Sequence, residues 1–105
     1  MNTIKQSGFQ SFAEFYPYYL QEHSNPTCRR LHFFGTLGVL GMLLAVILGV
    51  TPWLLLALPV FGYGFAWVGH FVFEKNRPAT FKHPFYSLAG DFVMFKDILT
   101  RRIAW

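Results

Sequence analysis

The sequence predicts an all-α membrane protein: a two-span transmembrane helical hairpin flanked by amphipathic interfacial helices. Three observations predict it. Residues 31–50 are apolar except for His32 and Thr36, and a second apolar run fills 53–73. Hydrophobic residues make up 53% of the 105 and charged ones 13%, well under the roughly 25% charged of a soluble domain. Arg29, Arg30, Lys75, Arg77, Lys82, Arg101 and Arg102 flank the open ends of the hairpin, and the turn at Thr51 has no basic residue.

The elements follow in order. Over 9–22, Phe9, Phe12, Tyr16, Tyr19 and Leu20 recur at helical spacings, so this segment is read as an interfacial helix with its rings in lipid and Gln10, Glu14 and Gln21 towards water. Pro17 should bend or divide it. Ser24, Asn25 and Pro26 make a turn. The run 31–50 has the roughly 20 residues that a 30 Å hydrocarbon core demands. Thr51 and Pro52 reverse the chain, and 53–73 returns with Trp53 and Trp67 as interfacial anchors and a kink at Pro59. Gly35, Gly38 and Gly41 on the first span and Gly62, Gly64 and Gly69 on the second permit close packing. After Pro84, a helix over 85–101 carries a stripe of Phe85, Leu88, Phe92, Phe95 and Leu99, facing either lipid or the hairpin.

The whole of 1–105 reads as a single integral-membrane domain. Residues 1–8 contain no apolar signal-peptide core, so this end is expected in the mature protein. The net charge of +4 comes with too little polar surface for a nucleic-acid partner and suits membrane lipids. Charge placement puts both termini on the cytoplasmic side of a bacterial inner membrane or the endoplasmic reticulum. The lone Cys28 excludes an intramolecular disulfide and a CxxC motif.

The hairpin also serves as a ruler. His32 lies nineteen residues before Thr51 and His70 nineteen after it, so the two sit at one depth, near the cytoplasmic boundary. His23 precedes the first span and His83 follows the second, so all four histidines can converge at that end. Imidazole is a common ligand for iron, copper and zinc, and such a cluster at a membrane boundary is costly without a partner. His23, His32, His70 and His83 are therefore the candidate metal ligands. Glu74, four residues after His70 on the same helical face, is a candidate ligand or the group orienting His70, and Asn76 or Asp91 can do the same. Four histidines without HxxxH or HxxHH boxes disfavour a di-iron centre. A bis-histidine haem protein and a membrane-shaping hairpin without catalysis stay open as alternatives.

At these residues the chain resembles the DUF962, or Mpo1-like, family. The resemblance lies in FAEFYPYYLQEH (12–23), RRLHFFG (29–35) and, most specifically, GHFVFEKNRPATFKHPFYSLAGDF (69–92). It implies an Fe(II)-dependent dioxygenase that takes a 2-hydroxy fatty acid and dioxygen and removes one carbon, as in fatty-acid alpha-oxidation. The family's histidines fall on His23, His32 and His70, with Glu74, Asn76, Pro78 and Ala79 in its EKNRPA-like segment. This chain is shorter than the eukaryotic members, with minimal loops. On that reading the acid chelates Fe(II) through carboxylate and hydroxyl, leaving three places for protein ligands beside dioxygen. One histidine then lies outside the coordination sphere or carries a proton, and His83, outside both spans, is assigned to it. Lys82 or Arg77 is expected to pair with the substrate carboxylate.

Overall fold

The structure is a computed structural model and describes residues 9–105; the expectations about residues 1–8 lie outside that range. Every regular element among the described residues is helical. Helix α1 (Phe12–Gln21) starts where Ser11 Oγ accepts the Glu14 N–H at 3.1 Å, and the Glu14 carboxylate reaches back to the Gln10 N–H. It runs undivided through Pro17, so of the expected bend or division the division does not occur. Pro17 and Ala13, whose carbonyl loses its partner, both lie on the exposed face, so the missing hydrogen bond disturbs no packed surface.

Helix α2 (Pro26–Ile47) begins five residues ahead of the apolar run. Its start is set by capping: Asn25 Oδ1 accepts from Thr27 N and Cys28 N, and Pro26 takes the first turn, where it has no donor to lose. Gly49, with φ of 86°, turns the chain. The second span, α3 (Pro52–Glu74), changes winding as it goes. It is a 3-10 helix over Pro52–Ala57, π-helical over Val60–Gly64, α-helical over Phe65–Val68 and π-helical again over Gly69–Glu74. The first π segment begins directly after Pro59, which contributes no N–H to the ladder. Lys75, at φ 60°, ends the span in the left-handed region.

The two spans have 22 and 23 residues and are long and apolar enough to cross a membrane. Their surface agrees with that environment. Ile47 is 79% exposed, Trp53 75% and Leu56 71%, a bare apolar tip that water would penalise and lipid would not.

At the opposite end, helix α4 (Pro84–Leu99) packs on α1. Phe15, Tyr19, Met94 and Ile98 form the buried core between them, with Ala79 beside it. The α1 rings Phe15 and Tyr19 therefore turn onto α4 rather than into lipid. On α4, the face that packs inward carries Ser87, Gly90, Met94, Asp97 and Ile98. Phe85, Leu88 and Leu99 of the expected stripe point outward, whereas Phe95 stacks on Phe33 of α2 and Phe92 lines the cavity beside the spans, so the stripe is divided between the two orientations. Gly90 makes this arrangement possible, since a Cβ there would lie 2.9 Å from the Tyr19 ring. Replacing Gly90 by leucine should destabilise the α1–α4 contact by about 1–3 kcal/mol. A lowered midpoint of thermal unfolding in detergent would register this, and an unchanged one would contradict the packing.

Candidate metal centre

His23 sits in the turn after α1, its N–H bonded to Leu20 O at 3.1 Å. His32 lies in the second turn of α2 and His70 near the end of α3. All three are buried. The Nε2 of His23 lies 3.0 Å from that of His32 and 2.9 Å from that of His70. The three rings stand nearly perpendicular to one another, at 79–89°. The depth match along the hairpin thus brings His32 and His70 together, with ring centroids 4.9 Å apart.

The other ring nitrogens decide what these contacts mean. His23 Nδ1 meets Tyr19 O at 2.6 Å, His32 Nδ1 meets Cys28 O at 2.9 Å, and His70 Nδ1 meets Asn76 Oδ1 at 2.7 Å. Each partner is an oxygen that only accepts, so each Nδ1 carries the hydrogen and donates it. In neutral rings the three Nε2 atoms are then bare lone pairs turned on one another. Burial, followed by the neighbouring His32 and His70, pushes the His23 imidazole well below its ordinary value, which keeps it neutral. Three converging acceptors with no donor between them are a site for a cation, and the three histidines form a group able to hold a metal ion. With nitrogen–metal bonds of about 2.0–2.1 Å, an ion shared by two nitrogens 3 Å apart subtends roughly 90°, as adjacent octahedral positions do.

Neighbouring residues aim the rings. Asn76 is fixed by its own amide, which donates to Glu22 O at 3.2 Å and Glu22 Oε1 at 3.3 Å, so its oxygen is the atom presented to His70. The backbone helps, because Asn76 N–H closes onto His70 O at 3.0 Å across the left-handed Lys75. Glu74 neither joins the group nor orients His70, contrary to expectation. Its carboxylate accepts from Asn25 N–H and Ser24 Oγ, pinning the turn that carries His23 to the end of α3. That turn captures the carboxylate, and the left-handed Lys75 folds the chain back so that Asn76 meets His70 instead.

His83, named among the candidate ligands but assigned a place outside the coordination sphere, stands apart from the other three. It caps α4 and packs among Phe9, Phe15 and Tyr18, with ring centroids 5.1–6.1 Å away, and is not in the metal-binding group. Asp91 accepts a hydrogen bond from Tyr19 Oη, and the Tyr19 ring stacks on His23 with centroids 3.9 Å apart. Burial raises the Asp91 carboxyl to about 7, against the downward pull of that hydrogen bond. Burial, then Asp91, holds the Tyr19 phenol well above its usual range. Sequence reasoning missed Tyr19 and Cys28 as supports. Both stand four residues before a histidine, the spacing at which a helical carbonyl meets a side chain one turn on.

The histidines line one end of a cavity of about 480 Å³ between the spans and α4. Its remaining wall is largely apolar, reaching along Thr36, Val39 and Gly62 to Leu55 and Leu58 near the hairpin tip. Among the described residues no lysine or arginine lines it; Lys82 and Arg77 are exposed elsewhere.

Fold and site together define an all-helical protein with two membrane-spanning helices and a buried three-histidine group suited to a metal. The chain belongs to the Mpo1-like family: the family described as 2-hydroxy-palmitic acid dioxygenase Mpo1-like matches residues 9–103. No curated protein and no solved structure matches the chain.

Asn76→Ala should leave the three nitrogens in place but free the His70 ring to rotate. Metal affinity, measured by competition with a chromogenic chelator, should fall roughly 10- to 100-fold; unchanged affinity would remove Asn76 from the site.

Proposed function

We propose that the protein is an Fe(II)-dependent dioxygenase that shortens 2-hydroxy fatty acids by one carbon. The observation that carries this reading is the placement of three bare histidine nitrogens at one end of an apolar cavity between the spans. Membership of a family described as a 2-hydroxy-palmitic acid dioxygenase supports the substrate class. His23, His32 and His70 hold the ion. When bound, Fe(II) supplies the electrons and open coordination positions that dioxygen chemistry at the acid's C1–C2 bond requires.

The chain's own contribution is binding, orientation and exclusion of water. The acyl tail lies along Val39, Gly62 and Ala66, surface that favours hydrocarbon over water. Its carboxylate and hydroxyl come to rest at the histidines. With no lysine or arginine in the described cavity wall, the charge of the head must be met by the ion, which ties the acid's register to the metal. Tyr19, Cys28 and Asn76 keep each Nδ1 occupied and so keep each Nε2 available. His83, held among aromatic rings, is left out of the ligand set.

In this reading the site and both termini lie on the cytoplasmic side of the membrane, a sidedness supported by the basic residues at the open end of the hairpin. Three mutually perpendicular rings meeting at a point do not present two opposed axial nitrogens to a planar haem. A purely membrane-shaping hairpin would have no use for three buried imidazoles.

The test measures bound metal in purified protein, then oxygen-dependent loss of 2-hydroxypalmitate with Fe(II) supplied. His32→Ala and His70→Ala should each lose metal and turnover by more than the roughly 10- to 100-fold that loss of a supporting residue costs. Wild-type protein that consumes no acid, or whose turnover is independent of iron, would refute the proposal.

A further inference from the structure

Resting on the dioxygenase reading, one polar group in the cavity has no role in holding the ion. Asp91 lies in the wall, on the first half of α4, and is bonded to the hydroxyl of Tyr19, whose ring stacks on His23. Tyr19 Oη occupies its Oδ1, and among the described residues Oδ2 has no hydrogen-bond partner. A carboxyl group has acceptor capacity for about four hydrogen bonds when ionised and keeps free lone pairs when protonated. A half-buried carboxyl in a largely apolar wall costs free energy that an apolar residue there would not.

When Asp91 is ionised a carboxylate head does not satisfy it, because two carboxylates brought together without a cation between them repel. No cationic side chain lines the described wall to relieve that repulsion. A hydroxyl does satisfy it, by donating its hydrogen to Oδ2. A 2-hydroxy acid carries that donor one carbon from the carboxylate. We infer that Asp91, held in place by Tyr19, accepts the hydrogen of the substrate's 2-hydroxyl and is the residue by which the site selects hydroxy acids over other acids of equal length. The ion meets the carboxylate, and Asp91 reads the neighbouring carbon.

Chelation alone would also favour a 2-hydroxy acid over an unsubstituted one, so the comparison must hold chelation fixed. 2-Oxopalmitate offers the same two oxygens to a metal but has no hydrogen to donate. Binding of 2-hydroxypalmitate and 2-oxopalmitate to Fe(II)-loaded protein is measured anaerobically at one pH, by displacement of a fluorescent fatty acid. Wild type should prefer the hydroxy acid by roughly tenfold or more, the value of a hydrogen bond to a charged group. In Asp91→Asn the amide oxygen can still accept from Tyr19 while its NH₂ faces the cavity. The preference should vanish or reverse there, with bound metal unchanged.

Equal affinities in wild type would overturn the inference without any variant, so it does not depend on the folding of Asp91→Asn. An unchanged ratio in that variant would also overturn it, making the Tyr19–Asp91 bond a helix-to-helix link and nothing more. Admitting oxygen to the same samples reads the dioxygenase proposal separately. Wild type that keeps the preference yet consumes no acid sustains the Asp91 assignment and refutes the activity.

Discussion

Three imidazole nitrogens converge, that of His23 at about hydrogen-bond distance from each of the other two, with no hydrogen left to share. That constraint organises the protein. Two carbonyls and one amide oxygen take the Nδ1 hydrogens, and the rings are buried where water cannot replace a missing partner. In neutral form the cluster is repulsive, and an ion at its centre turns repulsion into ligation. Each histidine comes from a different part of the chain, so the site exists only when α1, α2 and α3 are assembled.

The rest of the fold divides the labour along the hairpin. The tip is bare apolar surface, suited to lipid and asking little of packing. The other end is knit by polar contacts: Glu74 to the turn at Ser24 and Asn25, Asn76 to Glu22, and Arg29 to the His23 and Ser24 carbonyls. Gly69 allows the Cys28 side chain to approach within 2.9 Å of where a Cβ would be, and Gly35 allows the Phe61 carbonyl oxygen within 2.6 Å, so the spans pack closely along this half of the hairpin. Helix α4 closes the cavity from the side and adds Asp91 to its wall.

Much of this was legible in the sequence. Two apolar runs and a two-residue turn sufficed for the hairpin, and counting from Thr51 sufficed to bring His32 and His70 together. Adding His23 needed only the short turn at 24–26. What the sequence did not reveal depends on local winding and on tertiary choice. Counting by four from His70 selected Glu74, but the turn at Ser24 and Asn25 captures that carboxylate and the reversal at Lys75 presents Asn76 instead. His83 was near the site in sequence terms, yet an aromatic pocket made by α1 captures it. The α4 stripe fitted lipid or hairpin equally well by periodicity; Gly90, small enough to admit the Tyr19 ring, marks the face that packs.

The central claim is that one ion is held by three imidazoles and that the fourth stands apart. X-ray absorption at the iron edge of the Fe(II)-loaded protein addresses it directly, through the imidazole scattering of wild type compared with His83→Ala and His23→Ala. The account predicts one iron per chain, three imidazoles in wild type, the same three in His83→Ala, and fewer in His23→Ala. Loss of an imidazole in His83→Ala, or its retention in His23→Ala, would contradict it.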